Sequence, residues 1–336
     1  MKQKLVIIWW TWDFSSWVAS FLNVHFWNKL DIYITWKDKE ISKEVSEKIW
    51  VKYYEDNIEA VKNSNIVVFW VSINNTCDVI KEVWPHIKAW SIVFDITSIK
   101  KWPSEFLKKY VSKDCLIIPT HPMFWPWLSS IAGQIFVLTP EKEAFDDYRY
   151  VIFKATLENL WARILETTPE DHDKMMAVVQ WLTHYSMFVI WKTIKKYWVD
   201  VLKTLDFVSP IYKLMIASVS RYIGHSPELY ADIQMNNDEI LWIHKLFNET
   251  SNEFNKIVKE KDKEKFVEMV LQTREFFWEK NCQFWQRYTD KIIYFLAKEQ
   301  EKLKSNIWKE IVLENIYSKI KKSWVLKSFD SHNIVL

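Results

Sequence analysis

The stretch that decides the fold opens the chain and reads Lys4-Leu-Val-Ile-Ile-Trp-Trp-Thr-Trp-Asp-Phe-Ser-Ser-Trp-Val-Ala-Ser-Phe-Leu22. Residues 5–8 are a short run of apolar side chains, which is typical of a buried parallel strand. Residues 18–22 have the apolar character of a helix face. The tight turn between them favours residues without a Cβ atom, because the backbone reverses there and can approach a phosphate.

Tryptophan fills this turn, at Trp9, Trp10, Trp12 and Trp17. If these residues are read as glycine, the stretch becomes I-G-G-T-G-D-F-S-S-G, which is a dinucleotide-binding turn. The chain has 22 Trp and 2 Gly in 336 residues, and together they make up about 7% of it, the usual share of glycine alone. We therefore hypothesise that most or all Trp positions are glycines in the natural protein, because a UGA codon that means glycine was translated as tryptophan. The alternative is a genuinely Trp-rich protein, which UGG codons would show.

Composition limits the class of protein. The formal net charge of +2 at pH 7 gives no reason to expect a nucleic-acid or membrane-surface partner. The three cysteines, Cys77, Cys115 and Cys282, are too widely spaced for a metal site or a disulfide framework. The start of the chain shows no signal-peptide pattern, and no apolar run is long enough to span a membrane. We therefore expect a cytoplasmic protein without a metal ion.

The pattern of apolar runs divides the chain in two. Strands are predicted at 4–8, 30–35, 66–71, 91–95, 116–119 and 135–139, with short helices between them. This βαβ pattern predicts a Rossmann-like, doubly wound, mostly parallel sheet with helices on both faces. From residue 146 onward the strand signal disappears, and helices are predicted at 148–160, 169–197, 200–223, 227–258 and 263–300.

The fold class is therefore α/β, with an all-α second part. We expect a dinucleotide-binding domain at 1–150, a helical substrate and dimerisation domain at 151–302, and a charged amphipathic tail at 303–336. The apolar faces of the helical domain are too extensive for a solvated appendage, which predicts that much of this surface packs in a dimer.

The opening turn and the end of the second strand indicate the cofactor. With glycine restored, Trp10-x-Trp12-x-x-Ser15 becomes G-x-G-x-x-S, whose bare backbone lets N–H groups face a pyrophosphate. Thr35 and Lys37 stand where an acidic residue would accept the ribose hydroxyls of NAD. They would instead suit the 2′-phosphate of NADP, unless Lys37 is a solvated surface charge. The cofactor is therefore NAD or NADP, and its expected binding residues are Trp10, Thr11, Trp12, Asp13, Phe14, Thr35, Lys37, Val71 and Ser72.

Two later segments, 94–103 and 118–126, lie where strands end at the ligand edge of a doubly wound sheet. His121 lies between Thr120 and Pro122 on a predicted loop after a buried strand. A histidine there is well placed to act as a general base. The alternative is a loop histidine that is bonded to nearby backbone.

Several motifs together resemble the prephenate dehydrogenases of tyrosine biosynthesis. With glycine restored, they are His-Pro-Met-Phe-Gly-Pro at 121–126, Asp-Ile-Thr-Ser-Ile-Lys at 95–100, Glu-Asp-His-Asp-Lys-Met-Met-Ala at 170–177, Gln-Gly-Leu-Thr-His-Tyr at 180–185, Ser-Pro-Ile-Tyr at 209–212 and Pro-Glu-Leu-Tyr-Ala-Asp-Ile at 227–233. The resemblance covers roughly residues 4–300, in order. Trp70, Trp84, Trp125, Trp181 and Trp278 fall where relatives carry glycine or a small residue, which supports recoding independently.

The resemblance implies the oxidation of prephenate by NAD(P)+ with loss of CO2, giving 4-hydroxyphenylpyruvate. It implies that His121 accepts the proton of the ring hydroxyl, and that Ser98 hydrogen-bonds in the same region and orients His121. Arg221 falls where the family places its substrate-binding arginine, and a guanidinium can grip a carboxylate with two hydrogen bonds.

Other polar residues of the second half are assigned by the same resemblance. Lys213, eight residues before Arg221 on a predicted helix, and His184 are further candidates to bind the substrate carboxylates. Helix packing is the alternative for both. We expect His172 and Asp173 to cap or begin a helix rather than to act in catalysis.

The expected partners are prephenate and a second copy of the chain. Arogenate dehydrogenase, with the same fold and chemistry, is an alternative that kinetics with both substrates separates. The alternative of another class is a catalytically dead nucleotide-binding regulatory dimer, because indoles at Trp10 and Trp12 would fill the pyrophosphate site. The presence of His121, Ser98 and Arg221 together argues against it, since a binding module needs none of them.

Overall fold

The computed structural model describes residues 2–9, 12–35, 39–124, 128, 130–224, 226–237, 239–314, 320–329 and 334–335. The first eight strands are β1 (Gln3–Trp9), β2 (Leu30–Thr35), β3 (Lys52–Tyr54), β4 (Ile66–Trp70), β5 (Ile92–Asp95), β6 (Leu116–Pro122), β7 (Ile135–Leu138) and β8 (Arg163–Glu166). They form one sheet in the order β3-β2-β1-β4-β5-β6-β7-β8. The order of the first six strands is that of doubly wound nucleotide-binding folds, and it confirms the predicted fold class.

Helices separate these strands and make up most of the second half of the chain. They are α1 (Trp12–Phe26), α2 (Lys39–Ile49), α3 (Asn57–Asn63), α4 (Ile73–Val83), α5 (Lys101–Tyr110), α6 (Tyr148–Asn159), α7 (Pro169–Met176), α8 (Thr183–Tyr197), α9 (Val201–Thr204), α10 (Pro210–Ile223), α11 (Pro227–Met235), α12 (Glu239–Glu260), α13 (Lys263–Phe276) and α14 (Glu279–Lys304). Four short strands follow: β9 (Glu310–Glu314), β10 (Lys321–Val325), β11 (Ser328–Phe329) and β12 (Ile334–Val335). No helix in the described ranges is both long and apolar enough to cross a membrane.

The apolar run of β1 serves both faces of the sheet. Leu5 and Ile7 pack into one buried cluster, and Val6 and Ile8 pack into the other. Because successive side chains of a strand point to opposite faces, an uninterrupted apolar run is what a strand covered on both sides requires. The helices on the two faces hold the sheet in place and leave its carboxyl edge as the site for ligands.

Strands β1 and β4 are parallel neighbours in the sheet. Between them the order of the strands reverses: β2 and β3 follow β1 on one side, and β5 and β6 follow β4 on the other. The last residues of the two strands, Trp9 and Trp70, are register partners. In doubly wound folds a ligand binds in the crevice outside the carboxyl ends of two such strands. The predicted cofactor turn follows β1 at this crevice.

The structure corrects several predicted element bounds. Strand β8 shows that the strands do not end at residue 146; it was missed because it is short and alternates exposed with half-buried side chains. His121 lies inside β6 rather than on a loop, because β7 runs antiparallel to β6 and pairs His121 with Val137. The helix predicted at 169–197 contains a π-helical turn at Ala177–Leu182. The helices predicted at 200–223, 227–258 and 263–300 are each divided.

Six tryptophans adopt the left-handed backbone conformation, with φ between 59° and 66°: Trp50, Trp90, Trp161, Trp198, Trp278 and Trp308. Bulky residues seldom adopt this conformation, and glycine adopts it at no steric cost. Within the described residues, the one other non-glycine residue with such a backbone is Lys261. The six side chains are 68–89% exposed, so packing of the indoles does not explain the conformation.

The chain divides into two compact units. The first contains Met1–Val199 and Ala217–His244, and the second contains Asp200–Ile216 and Lys245–Leu336. The cavity described below belongs entirely to the first unit. The sequence-based boundaries at residues 150 and 302 stay predictions.

Candidate active site

A cavity of about 280 Å³ opens at the carboxyl ends of β4, β5 and β6. Residues that follow β4 and β5 form one wall, and the π-helical turn, α8, α10 and α11 form the other. The polar side chains of the lining are Ser72, Thr97, Ser98, His121, Gln180, His184, Tyr222 and Tyr230. The structure therefore brings three predicted site residues, Ser98, His121 and His184, to one cavity.

The loop after β5 is held rigid by its own side chains. Asp95 Oδ1 accepts a hydrogen bond from the backbone N–H of Thr97 (3.1 Å), and Thr97 Oγ1 donates to the carbonyl of Ile99 (2.8 Å). Lys100 Nζ forms an ion pair with the Asp95 carboxylate, and both side chains are fully buried. Burial lowers the pKa of Lys100, and Asp95 opposes that shift. This internal network fixes the loop that presents Ser98 to the cavity.

His121 has a buried histidine as its partner. Its Nδ1 atom lies 2.9 Å from Nε2 of His172, and Nδ1 of His172 lies 2.7 Å from Oδ1 of Asp173. The two oxygens of Asp173 also accept hydrogen bonds from the backbone N–H groups of Lys100 (2.8 Å) and Lys101 (2.9 Å). Asp173 therefore binds the start of α5, while the cap of its own helix is the hydroxyl of Thr168.

The prediction that His172 and Asp173 only cap or begin a helix is therefore too narrow. Residues His121 and His172 are 51 positions apart in sequence, and no local spacing relates them. The adjacent His-Asp pair was the one signal available, and it does not reveal a distant partner. His172 is the functional candidate that sequence reasoning missed.

All three histidines at the site are neutral near pH 7. Burial, then the electrostatic influence of His172 and Lys100, lowers the pKa of His121 well below its usual 6.5. Burial also lowers the pKa of His172 and lowers that of His184 to about 4. A neutral imidazole has a lone pair to accept a proton, which a general base requires.

Four polar atoms of the lining are buried without a hydrogen-bond partner in the described part of the chain: Ser72 Oγ, Gln180 Oε1, His184 Nδ1 and Tyr230 Oη. Buried polar groups are normally hydrogen-bonded, so a cluster of unsatisfied atoms in one cavity needs an explanation. The rings of His184, Tyr222 and Tyr230 pack against one another, with centroid distances of 4.8, 4.9 and 5.6 Å. The arrangement fits a polar ligand that supplies the missing hydrogen bonds.

The remaining predicted substrate residues are placed differently. Ser98 Oγ accepts a hydrogen bond from Gln180 Nε2 (3.4 Å), whereas the ring partner of His121 is His172. Burial raises the pKa of Tyr222 and the charge of Arg221 partly offsets the rise, so Arg221 lies close to a cavity residue. Lys213 belongs to the second unit.

The predicted cofactor residues lie partly outside the described residues. Trp10, Thr11 and Lys37 fall there, and the backbone alone is described for Trp12, Asp13 and Phe14, which begin α1. Val71 and Ser72 line the cavity just after β4, beside the crevice at the reversal of the sheet. Thr35 is buried and its hydroxyl donates to Asn57 Oδ1 (2.7 Å), so its proton is not available to a phosphate. The strand order and the unsatisfied Ser72 hydroxyl fit a bound dinucleotide.

Comparison with known proteins identifies the family. The nucleotide-binding domain of prephenate dehydrogenase matches residues 27–166, and the dimerization domain of prephenate dehydrogenase matches residues 168–272. A probable arogenate/prephenate dehydrogenase of Methanocaldococcus jannaschii is 37% identical over 323 residues, which are 96% of this chain and 71% of that protein. The T-protein of Haemophilus influenzae is 28% identical over 66% of this chain, and the chain spans 58% of its length.

Solved structures show the same fold. Prephenate dehydrogenase from A. aeolicus, in complex with hydroxyphenyl propionate and NAD+, has a TM-score of 0.63 at 20% identity, covering 82% of this chain and 96% of that one. Synechocystis arogenate dehydrogenase has a TM-score of 0.59 at 18% identity, covering 81% of this chain and 98% of that one. With both family domains matched in order and a relative that is 37% identical over 96% of this chain, the chain belongs to the prephenate dehydrogenase family of NAD(P)-dependent enzymes.

Proposed function

We propose that this enzyme oxidises prephenate with loss of CO2, giving 4-hydroxyphenylpyruvate and NAD(P)H. The observation that carries the proposal is His121, a neutral buried histidine that lines a cavity with four unsatisfied polar atoms at the carboxyl edge of the sheet. We further propose that the protein is cytoplasmic and forms a homodimer through its helical domain. The family name of residues 168–272, a dimerization domain, supports the dimer.

The reaction needs a hydride acceptor and a base. Bound at the crevice beside Val71 and Ser72, NAD(P)+ supplies the hydride acceptor. His121 Nε2 takes the proton of the ring hydroxyl, which favours departure of the hydride from the same carbon. Loss of CO2 then restores an aromatic ring, which makes the reaction irreversible. Ser98 hydrogen-bonds to the same hydroxyl.

The two carboxylates of prephenate need hydrogen-bond donors or positive charges to bind them. In the proposal Arg221 binds one of them through its guanidinium, since the planar fork matches a carboxylate. His184 is neutral, and its ring N–H group donates a hydrogen bond to a substrate carboxylate. Lys213 lies in the second unit, and its assignment to the substrate stays a prediction.

Arogenate is the second candidate substrate, because the relative from M. jannaschii carries both substrates in its name. Arogenate differs in its side chain and not at the carbon that loses the hydride. Initial rates with each substrate, measured as NAD(P)H formation, decide between them. A higher kcat/KM with arogenate would replace prephenate in the proposal.

We also propose that the tryptophans stand where the natural protein has glycine. The left-handed backbone at six of them supports this, because glycine is favoured there. Trp181 supports it too, since its side chain is fully buried and its indole N–H has no partner in the described residues. Mass spectrometry of the native polypeptide, together with the codons of its gene, tests the idea; indoles at positions 10 and 12 would refute it.

The functional experiment uses the protein with glycine at these positions. We expect NAD(P)H to form from prephenate, and we expect the His121→Asn variant to lose turnover while it still binds the cofactor in calorimetry. Unchanged turnover in this variant would remove His121 from the mechanism. The chain with indoles at 10 and 12 is the matched control, and we expect it to bind no dinucleotide.

A further inference from the structure

Behind His121 lie two buried side chains, His172 and Asp173, that the proposed reaction does not use. Together with His121 they form a row. His121 is 6% exposed, His172 is 2% exposed and Asp173 is 6% exposed. The row joins β6 to α7 through contacts of 2.9 Å between the two rings and 2.7 Å between His172 and the carboxylate. Sequestered from water, these groups have fixed partners.

The hydrogen bonds determine which group donates and which group accepts at each contact along the row. Both oxygens of Asp173 accept from backbone N–H groups, so the carboxylate is an acceptor and Nδ1 of His172 must donate to it. A neutral His172 then has its lone pair on Nε2. The proton between the rings therefore belongs to Nδ1 of His121, and Nε2 of His121 is left unprotonated.

We propose that His172 and Asp173 are positioning residues that hold His121 in the tautomer with its proton on Nδ1, so that Nε2 presents a lone pair to the substrate hydroxyl. The proposal rests on the proposed role of His121 as general base. When Nε2 accepts the substrate proton, Nδ1 keeps its own proton and continues to donate to His172. The orientation of the ring therefore stays the same before and after proton transfer.

The charged groups around the row keep it neutral before the reaction. His121 faces His172 on α7 and Lys100 at the start of α5; Lys100 pairs with Asp95 of β5, and Asp173 lies behind His172. Burial lowers the pKa of His172, Asp173 opposes this shift, and the charge of Lys100 adds to it. A protonated His172 would have no lone pair for His121, so the surroundings favour the state that the tautomer requires.

The first test reads the tautomer directly. The full chain is labelled with 15N in its histidine rings, and long-range 15N–1H spectra report which ring nitrogen carries the proton, with His121→Asn to assign the signals. We expect Nδ1–H for His121. His172→Phe removes the acceptor and should shift His121 toward Nε2–H, whereas His172→Gln, which places an amide oxygen near the position of Nε2, should preserve it. His86→Phe, outside the row, is the control; His172→Met replaces the Phe variant if that does not fold.

The second test is kinetic. We expect His172→Phe to lower kcat about 100-fold, the scale of general-base catalysis, with little change in KM, and His172→Gln to keep most of the activity. Equal losses in both variants, with the His121 tautomer unchanged, would mean that His172 only fills space and would overturn the proposal. An Nε2–H tautomer in the unsubstituted chain would overturn it as well. Because the spectra need no turnover, failure of the proposed reaction is distinguishable from failure of this assignment.

Discussion

Lys100 and Asp95 form an ion pair inside one loop, and neither side chain reaches solvent. The pair closes the turn after β5 that presents Ser98 to the cavity. Two buried charges are tolerated here because each neutralises the other and the carboxylate also accepts a backbone hydrogen bond. The stability of the fold and the geometry of the candidate site therefore depend on the same pair.

Replacing Lys100 with Met should leave the Asp95 charge buried and unpaired. We expect the free energy of unfolding to fall by about 3–5 kcal/mol, the usual cost of removing one partner of a buried pair. Urea unfolding monitored by circular dichroism measures the change. The double variant Lys100→Met/Asp95→Leu is the control, since it removes both charges and should recover most of the loss. A single variant as stable as the parent would contradict the buried pair.

The stability of the protein should depend on the protonation of His184. Burial lowers its pKa from 6.5 to about 4, so between these values the unfolded chain binds the proton and the folded chain does not. Stability is therefore fully present above pH 6.5 and is lost as the pH falls toward 4, by about 3 kcal/mol from this residue. His121 and His172 act in the same direction.

The measurement is urea unfolding at a series of pH values between about 7 and 4. The variant His184→Phe keeps a ring in contact with Tyr222 and Tyr230 but cannot be protonated. We expect its free energy of unfolding to fall less steeply with acidification than that of the parent. Parallel curves for the two proteins would show that His184 is not the group responsible.

Glycine at the left-handed tryptophan positions should stabilise the chain. Trp198, which ends α8, has φ of 62° and is 89% exposed. We expect Trp198→Gly to raise the free energy of unfolding by about 1 kcal/mol, since an L-residue pays roughly 1–2 kcal/mol in this conformation. Trp198→Ala is the matched control because it removes the indole but keeps Cβ. An equal gain with alanine would trace the effect to the indole and not to the backbone.

The proposed carboxylate contact of Arg221 predicts a selective effect on binding. We expect Arg221→Lys to raise the KM for prephenate about tenfold, because an ammonium cannot reproduce the two-pronged contact of a guanidinium. A change in KM with kcat nearly constant is the signature of lost ground-state binding. Steady-state kinetics measures both constants. An unaltered KM would exclude Arg221 from the substrate site.

The central strands of the sheet were predictable because their sequences satisfy one simple requirement. A strand buried on both faces must be apolar throughout, and residues 5–8 and 66–70 meet this condition. Strands β3 and β8, at the two edges of the sheet, are short and half-exposed. Their polar residues interrupt the apolar run that would predict a strand, so they were missed. One predicted helix boundary was wrong because of Trp278, which separates α13 from α14. Its side chain is typical of an apolar helix residue, but its backbone has a positive φ of 59°, which glycine favours.

The candidate site was predictable only in part. Ser98 follows β5 and His121 lies near the end of β6. Local patterns reveal both strands, and sheet topology brings the two residues to one edge. The pairing of His121 with His172 depends on how α7 packs against β6, which no local pattern encodes. The same holds for Asp173, whose hydrogen bonds reach the start of α5, 72 and 73 residues earlier.

The placement of His121 within paired strands has a consequence for substrate exchange. Its backbone belongs to a hydrogen-bonded ladder with β7, so the base cannot swing aside as a residue on a flap would. We therefore expect any opening that admits the substrate or releases the product to occur on the helical wall that carries Gln180, His184 and Tyr230. The proton acceptor would then stay in place during substrate exchange, while the helices proposed to bind the substrate carboxylates move.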